Sequence, residues 1–479
     1  MPTRRTLLKR AALITAAQAL PVSCFKPEGA NSAVRIAICG LHGRGKAHLD
    51  DMLKIDGVRI VALCDVDTRE LNKHAPTVEK ASGKARIYHD YRKLCEDKDV
   101  DGIMIATPNH THTLIALTAM QHGKHVYVEK PVSHNLREGR TLVEAAAKLP
   151  KLIVTHGMQR RSDLGWAEAL AWLNEGHLGK VTLSRGLNYK TRESIGKVAG
   201  PERVPKFIDH NLWCGPRPVA PVMRERYHYD WHWQWAYGNG DIGNQGPHQL
   251  DVARWALGQM TQPVRAMSLG ARWGYVDDGQ TPNNQLAVFR YAEGPPLLFD
   301  NRGLPAKDMD WRLEPAYRDI RIGNVIHCEG GYLAESKAFD KDRRMVKKFR
   351  LDDGGVHQKN WVEAMRSGKL VSENQSLLQG HLSASLSHLA NLSWHLGRKL
   401  GTNEVRERLQ GDSEALATLE DFEQNLRANR IDPVIEQPVV GPWLSFDPST
   451  ERFTGEFADE ANKLIEEEYR EEFKLPVIA

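Results

Sequence analysis

A glycine-rich turn near the start of the chain is the feature that most constrains its fold. The stretch VRIAICGLHGRGKAHL, residues 34–49, has the pattern of a strand, a turn with glycines at positions 40, 43 and 45, and a helix. Such a turn lets the backbone approach a pyrophosphate closely, and the free N–H groups at the start of the helix face the anion. The stretch therefore predicts a nucleotide-binding parallel sheet, although the same turn could be purely structural.

Four further apolar runs up to residue 157 extend this pattern. They are continuous and rich in β-branched residues, which suits strands that helices cover on both faces. Helix candidates at 113–122 and 136–148 separate them. Residues 33–157 are therefore predicted to form an α/β domain of the Rossmann type, with a doubly wound parallel sheet. The predicted strands span residues 34–40, 58–65, 102–107, 125–130 and 152–157.

The second half of the chain has a different pattern. The 479 residues are too many for one ordinary core. Mixed helical and strand-like segments predict an α+β domain over residues 158–400, followed by a charged extension over 401–479 that packs on it. In that extension, residues 466–473 are predicted to form a solvated helix. The segments predicted in the second domain are helices at 164–174, 357–366 and 377–395 and strands at 181–189 and 285–291.

Asp65 supports the nucleotide interpretation. It ends the second predicted strand about 25 residues after Gly40, where a carboxylate can accept hydrogen bonds from an adenosine ribose and repel a 2′-phosphate. This position favours NAD over NADP, whereas the nearby Arg69 leaves NADP open. The glycine spacing is G-x-x-G-x-G rather than the usual G-x-G-x-x-G, because His42 occupies the position of the second glycine.

Three more stretches stand out: ATPNHTH at 106–112, GKHVYVEKPVS at 123–133 and GNQGPHQLD at 243–251. Together with the glycine turn they resemble the Gfo/Idh/MocA family of sugar-acting oxidoreductases, over residues 34–397. The resemblance implies a C-terminal domain with a large, open, mostly antiparallel sheet that often mediates homo-oligomers, here a dimer or tetramer. The substrate would lie between the two domains, against the nicotinamide. The implied cofactor contacts are Gly40, His42, Gly43, Arg44, Gly45, Asp65, Thr107, Asn109, His112, Glu129 and Lys130.

Lys130 is the first predicted catalytic residue. The resemblance places it next to the nicotinamide, where it would polarise the substrate hydroxyl and relay its proton. Burial and neighbouring charges can bring the pKa of a lysine toward neutrality, where acid–base transfer is efficient. The alternative is a structural lysine that pairs with Glu129 at a strand end.

His248 is the second predicted catalytic residue, because it matches the histidine of the family's Asp-x-x-x-His-x-x-Asp pattern. Asp251 carries over as the partner expected to fix the ring tautomer, but Asn244 replaces the first acid. An amide can hold a sugar hydroxyl and cannot accept its proton, which argues against a plain inositol-type dehydrogenase. Asp241 could replace the lost carboxylate, or Asp241 or Asn244 could cap a helix. The predicted substrate contacts are Tyr189, Asp241, Asn244 and Asp251.

The stretch YHYDWHWQWAY at 227–237 alternates aromatic and polar residues. As a strand it would place its aromatic rings on one face, either to stack on sugar rings or to pack against helices. His228, Asp230 and His232 would share the other face and could hold a metal, but no further ligand stands out and the family needs none. No metal is therefore predicted.

The first residues, MPTRRTLLKRAALITAAQAL, place two adjacent arginines, a short apolar run and an Ala-x-Ala site in the order of a twin-arginine export signal. Residues 1–32 are therefore predicted to be a signal and linker, and the protein to be periplasmic or otherwise extracytoplasmic. A disordered basic segment is the alternative. Cleavage is expected after Ala19, and Cys24 is an alternative site for a lipid anchor. The apolar run at 11–20 is too short to span a bilayer, so no membrane span is predicted.

Charge and cysteine content argue against a nucleic-acid-binding protein and against a disulfide- or zinc-stabilised fold. The net charge of +4 equals the charge of the basic residues before Ala19, so the remainder is neutral and offers no basic stripe for nucleic acid. The six cysteines show no C-x-x-C spacing and are predicted to be buried thiols rather than a disulfide or zinc framework. Such a chain can fold in the reducing cytosol before export.

Together these features predict an exported NAD-dependent oxidoreductase that transfers a hydride at a secondary alcohol of a sugar or glycoside. Outside the cytosol no enzyme network reoxidises NADH, so the cofactor is expected to stay bound and to be restored within each cycle. One alternative is a glycosidase that works by transient oxidation and elimination, with His248 as the base for the C–H. Another is a non-catalytic sugar-binding member of the same fold.

Overall fold

Six parallel strands form the first sheet, and helices cover both of its faces. The computed structural model describes residues 33–352 and 354–478, so the predicted signal and linker at 1–32 lie outside the described residues. The strand order β3-β2-β1-β4-β5-β6 is that of a Rossmann-type doubly wound sheet, which confirms the predicted fold of this domain. Its strands are β1 Val34–Cys39, β2 Val58–Cys64, β3 Arg86–Tyr88, β4 Gly102–Ile105, β5 His125–Val128 and β6 Val154–His156.

Local sequence sets where the first helices begin. The Asp67 side chain caps α2 and the Asn135 side chain caps α5, each by accepting a hydrogen bond from a backbone N–H of the first turn. Helix α1 instead begins directly after Gly43, without a side-chain cap and without an acidic residue in its first turn. These helices are α1 Arg44–Met52, α2 Thr68–Ser82, α3 Tyr91–Cys95, α4 His112–Gln121 and α5 Leu136–Lys148.

The second sheet is mixed and mostly antiparallel, as expected for the C-terminal domain. Its main path is β14-β13-β12-β11-β7-β10-β9-β8-β16-β15, and β17 also pairs with β8 and with β18. Among the described strands of this sheet, β7 and β10 are the one parallel pair. Its strands are β7 Val181–Asn188, β8 Arg265–Ala271, β9 Asn284–Arg290, β10 Leu297–Arg302, β11 Ile322–Cys328, β12 Gly331–Ala334, β13 Lys337–Asp340, β14 Met345–Lys348, β15 Arg398–Lys399, β16 Val439–Val440, β17 Leu444–Asp447 and β18 Arg452–Thr454.

Helices cover both faces of this second sheet. Helices α6, α9 and α11 pack on one face, and α12 and α13 cover the centre of the other through apolar contacts with β7 to β10. The strand order does not close on itself, so the sheet is open, as the family resemblance predicts. The helices are α6 Leu164–Asn174, α7 His210–Cys214, α8 Gly240–Asn244, α9 Gly246–Ala256, α10 His357–Ser367, α11 Leu377–His395, α12 Thr402–Arg408, α13 Ser413–Ala428 and α14 Ala458–Lys463.

Two segments cross the predicted domain boundaries. Helix α10 was expected in the second domain, but its fully buried Trp361 packs in the core of the first sheet. The end of the chain was expected on the second domain as a solvated helix. Instead, Phe473 and Ile478 are buried against the opposite face of the first sheet, and the only regular element at 466–473 is a short 3₁₀ turn, Glu471–Phe473.

The alternating stretch at 227–237 does not form a strand, so that prediction is wrong. Residues Asp230–Trp233 form a 3₁₀ turn. Tyr227, Trp231 and Tyr237 pack into a local core, whereas Trp235 lies against Trp394 and His395. Strand β3, Arg86–Tyr88, was not predicted because it is short, largely exposed and lacks an apolar run.

Two further observations concern cysteines and membranes. Cys39, Cys64, Cys95 and Cys214 are buried free thiols, which confirms their prediction, whereas Cys328 is partly exposed. Among the helices that the structure describes, none is both long and apolar enough to cross a bilayer.

Candidate active site

A cavity of about 500 Å³ lies at the carboxyl ends of β1, β2, β4 and β5. Residues from the second half of the chain close its other side. In a doubly wound sheet this edge is where ligands bind, because the loops after the strands diverge there. The cavity is lined by Cys39, Gly40, Leu41, His42, Gly43, Arg44, Cys64, Asp65, Val66, His89, Tyr91, Ala106, Thr107, Pro108, Asn109, Thr111, His112, Ile115, Glu129, Lys130, Pro131, Gln159, Leu212, Trp213, His228, Tyr229, Trp231, His232, Asn239, Gly240, Gly243, Asn244 and His248.

The glycine turn has the geometry that a dinucleotide requires. Gly40 has φ +86°, and a Cβ there would lie 2.7 Å from the carbonyl of Ala106. A Cβ on Gly45 would collide with the carbonyl oxygen of Gly40. Gly43 also has positive φ, and it leads into α1, whose first turn carries no acidic residue. The turn therefore leaves bare backbone and an uncapped helix start facing the cavity, which fits the pyrophosphate of NAD.

Asp65 lies where the sequence predicts, at the end of β2 in the cavity wall. Its carboxylate accepts hydrogen bonds from the backbone N–H of Leu41, at 2.7 Å, and of Asp67, at 2.9 Å. Burial raises the pKa of Asp65 to about 6, although these two hydrogen bonds act to lower it. Asp65 thus ties the glycine turn to the loop after β2. Arg69 is engaged elsewhere, on Asp67 and over the ring of Phe207, and does not line the cavity.

The loop after β4 forms the next part of the wall. Thr107 accepts a hydrogen bond from the Thr111 hydroxyl at 2.8 Å, and the amide of Asn109 donates to Asn239 Oδ1 at 2.6 Å. The two ring nitrogens of His112 lie 2.7 Å and 2.8 Å from the carbonyl oxygens of Thr107 and Pro131. Burial lowers the pKa of His112. These contacts fix the loops after β4 and β5 against each other.

Glu129 is the buried centre of the charges around the catalytic lysine. Its Oε1 lies 2.7 Å from His48 Nε2 and 2.9 Å from Arg44 Nε, and its Oε2 accepts a 2.9 Å hydrogen bond from its neighbour's backbone N–H. Burial raises the pKa of Glu129, but His48 and Arg44 outweigh it and hold the pKa well below its usual range. The carboxylate is therefore occupied and does not bond the Lys130 ammonium.

The Lys130 side chain projects into the cavity wall between the two halves of the chain. Its Nζ donates a 2.5 Å hydrogen bond to the backbone carbonyl of Asn244. Burial lowers the pKa of Lys130 to about 8, and Arg44 and Arg192 add to this against the opposing charge of Glu129. Lys130 and Glu129 therefore do not form the structural ion pair that was the alternative prediction.

His248 lies in the first turn of α9 and lines the same cavity as Lys130. Burial lowers its pKa to about 3, with further contributions from the positive charges of Lys130 and Arg160. The imidazole is therefore neutral at physiological pH.

Three predicted substrate residues lie behind the cavity wall rather than in it. Asp251 makes no hydrogen bond to His248 among the described residues; it pairs with Arg161 at 2.8 Å and accepts from Ser383. Tyr189 is buried and donates its hydroxyl hydrogen bond to Asp300. The structure therefore does not bring Asp251 to His248 or Tyr189 to the cavity, and their predicted roles stay predictions.

Asp241 and Asn244 differ from their predictions in another way. Asp241 accepts hydrogen bonds from Arg192 at 2.5 Å and from the Trp233 indole at 3.1 Å, so it does not replace the missing acid. Asn244 lines the cavity, and its backbone carbonyl holds Lys130. Neither side chain caps a helix.

Several cavity residues on the second side were not predicted from the sequence. Gln159 accepts a 2.7 Å hydrogen bond from Arg44, and Asn239 bridges the Asn109 amide and the carbonyl of His134. Tyr229 and His232 belong to the aromatic stretch at 227–237. Its unusual composition was therefore a signal for these two residues, although the strand predicted for the stretch does not form. Among the described residues, no group of three metal-binding side chains forms, and His228, Asp230 and His232 bond to separate partners.

A Rossmann sheet whose glycine turn faces a cavity closed by loops and helices of a second domain is the architecture of two-domain, NAD-binding oxidoreductases. A model described as "Oxidoreductase family, NAD-binding Rossmann fold" matches residues 34–157, and one described as "Oxidoreductase family, C-terminal alpha/beta domain" matches residues 168–429. The chain belongs to this family, Gfo/Idh/MocA.

Curated relatives match parts of the chain. Inositol 2-dehydrogenase of Salmonella typhimurium is 26% identical over 180 residues, which cover 37% of this chain and 52% of that protein. A glycosyl hydrolase family 109 protein of Streptomyces niveus is 43% identical over 122 residues, 24% of this chain and 25% of that protein. The chain thus matches about half the length of the first relative and a quarter of the second.

Solved structures share the fold. The scyllo-inositol dehydrogenase from Lactobacillus casei with bound NAD(H) and scyllo-inositol has a TM-score of 0.51 at 15% identity, over 75% of this chain and 96% of that one. The WlbA dehydrogenase from Bordetella pertussis with NADH and UDP-GlcNAcA has a TM-score of 0.54 at 17% identity, over 75% and 95%. At these identities the likeness concerns the fold alone.

Proposed function

We propose that this protein is an NAD-dependent oxidoreductase that acts on a secondary alcohol of a sugar or glycoside. One observation carries the proposal: the Lys130 ammonium reaches the cavity free of Glu129 and bonded to one backbone carbonyl. A lysine with a pKa near 8 in a nucleotide-binding cavity is placed for acid–base chemistry.

Lys130 moves the substrate proton in this proposal. The bound nicotinamide supplies the hydride acceptor. The neutral Lys130 amine accepts the proton of the substrate hydroxyl. Glu129, itself paired with Arg44, accepts a hydrogen bond from the Lys130 backbone N–H and fixes the backbone from the strand side. The carbonyl of Asn244 orients Nζ toward the cavity from the other side.

His248 has a separate role. It is neutral and lines the cavity with Lys130, and among the described residues no carboxylate pairs with it, so its ring can hold a second substrate hydroxyl. To act as the base for a substrate C–H, its pKa would have to rise from about 3 when cofactor and substrate are bound. A C–H base is what elimination of a glycosidic oxygen requires. The partial match to glycosyl hydrolase family 109 proteins supports redox-neutral glycoside hydrolysis as the second candidate function.

Export and cofactor recycling complete the proposal. The twin-arginine pattern of residues 4–5 supports export of the folded protein, and NAD bound before export would then have to be regenerated within each catalytic cycle. If turnover requires stoichiometric external NAD, the recycling is excluded and the oxidoreductase class still stands.

The test begins with the protein purified without added nucleotide. Mass spectrometry of the denatured sample should find nearly stoichiometric NAD or NADH. Sugars and glycosides are then screened for NADH formation and for hydrolysis without added cofactor. Lys130→Met should lower turnover by at least about a hundredfold while nucleotide stays bound. The exposed Lys84→Ala should match the wild type. A Lys130→Met variant with full activity would instead favour a non-catalytic sugar-binding protein.

A further inference from the structure

Residues 207–232, here called the strap, leave the second domain and run across the cofactor cavity. One end of the strap is bonded to the loop after β2. Thr68 N–H donates to the carbonyl of Phe207, and Asp209 N–H donates to the carbonyl of Val66, each at 3.0 Å. The guanidinium of Arg69 lies 3.3 Å from the centre of the Phe207 ring. The start of the strap is thus fixed beside Asp65.

The other end of the strap returns to the same loop and to the glycine turn. His228 Nε2 lies 2.9 Å from Asp67 Oδ2. The His228 ring stacks on that of His42, with ring centres 5.1 Å apart and planes inclined by 19°. His42 belongs to the turn that faces the pyrophosphate position, so the strap spans the distance from the ribose side of the cavity to the phosphate side.

The strap is a folded unit rather than an open loop. Arg224 is almost fully buried among the rings of Trp213, Tyr227 and Tyr237 and donates to the carbonyl of Tyr227 at 3.0 Å. The inner surface of this unit is part of the cavity wall. Its lining residues are Leu212, Trp213, His228, Tyr229, Trp231 and His232.

The end of the chain braces the strap from outside. The backbone N–H of Arg470 donates to the carbonyl of Pro216, and its Nη1 donates to the carbonyl of Gly215, both at 3.1 Å. Arg217 pairs with Glu467 at 2.5 Å, and Phe473 anchors this segment in the first domain's core. The strap is therefore held between the loop after β2 and the last residues of the chain.

We propose that the strap is a cofactor-binding element that closes over the adenosine half of NAD and slows its release. Cofactor leaves only when the contacts at Asp67, His42 and Arg470 open. The inference rests on NAD binding, which family membership gives, and not on the proposed sugar chemistry. It supplies a physical basis for a cofactor that stays bound through many turnovers.

The test measures dissociation of isotopically labelled NAD from the full-length protein during a chase with unlabelled NAD. His228→Ala and Arg470→Ala should each release label at least about tenfold faster than the wild type, because each removes one attachment of the strap. His228→Gln keeps a donor for Asp67 and should fall between. Val219→Ala, an exposed strap residue outside the cavity, is the matched control and should behave as the wild type.

The proposal is overturned if folded His228→Ala and Arg470→Ala both release label at the wild-type rate, or if the wild type itself exchanges as fast as they do. Thermal unfolding of each variant identifies any that has lost its fold, and the pair of variants tests opposite sides of the strap. No sugar substrate is used. Failure of the proposed oxidoreductase activity therefore leaves this result unaffected.

Discussion

At the residue scale, the site depends on which neighbouring groups bond to Glu129 and which bond to Lys130. The Glu129 carboxylate pairs with Arg44 and His48. The Lys130 ammonium therefore bonds to a backbone carbonyl instead. Glu129 still acts on Lys130 through its charge, since it opposes the lowering of the lysine pKa. The Glu-Lys-Pro motif identified both residues. Only the tertiary contacts of the glutamate decide whether it forms an ion pair with the lysine.

The pH dependence of activity follows from these contacts. Because neutral Lys130 accepts the proton, kcat/KM for alcohol oxidation should rise with pH through about 8. Glu129→Gln removes an anion that raises the Lys130 pKa, so its profile should shift to lower pH. The exposed Glu144→Gln is the control. Profiles measured between about pH 6 and 10 would contradict this account if the Glu129→Gln curve coincided with the wild type or moved to higher pH.

At the element scale, the glycine turn is the most demanding piece of backbone. A side chain at position 45 would collide with the carbonyl oxygen of Gly40, which fixes how closely α1 approaches the end of β1. Gly45→Ala should therefore weaken NAD binding by at least about tenfold, measured by calorimetry on stripped protein. Gly200→Ala, where an added Cβ meets open space, should leave the affinity unchanged. Equal affinities for both variants would contradict the predicted close approach.

The stretch at 227–237 shows why an element can be misassigned. Its strict alternation has the period of a strand. Yet Trp213, which lies outside the stretch, packs with Tyr227 and Tyr237 around Arg224, and Trp231 joins the same apolar cluster. This buried cluster stabilises a turn-rich unit in place of the strand. The alternation identified aromatic residues that line the cavity, and the contacts across the strap decided their backbone conformation.

At the scale of the whole molecule, the nucleotide domain is completed by late segments of the chain. Trp361 from α10 is fully buried against the first sheet, some 200 residues after that sheet ends. Trp361→Ala should lower the free energy of unfolding by about 3–5 kcal/mol, because it leaves a large cavity in that core. Urea unfolding followed by fluorescence and by NAD binding measures this. Lys359→Ala on the exposed side of α10 should have little effect, and equal stabilities would refute the role of α10.

The covered sheet face bears on assembly. Helices α12 and α13 occupy the centre of the face that the family resemblance assigned to oligomer contacts. Edge strand β14 still exposes Met345 and Val346. The homo-oligomer stays a prediction.

The sequence by itself determined the elements whose signals are local. Continuous apolar runs fixed five strands of the first sheet, and the apolar spacing at 136–148 and 377–395 gave two helices with their observed limits. The glycine turn, Asp65, Lys130 and His248 were identified because their chemistry is tied to short motifs. Gly40, Gly43, Asp65, Lys130 and His248 line the cavity, whereas Gly45 lies behind its wall.

The tertiary structure decided everything that depends on contacts between distant parts of the chain. It placed Asp251 with Arg161 rather than with His248, brought α10 and Phe473 onto the first sheet, and closed the strap over the cavity. Periodicity and motif spacing carry no information about such partners, because each buried charge and apolar face pairs with whichever distant group the fold brings near it.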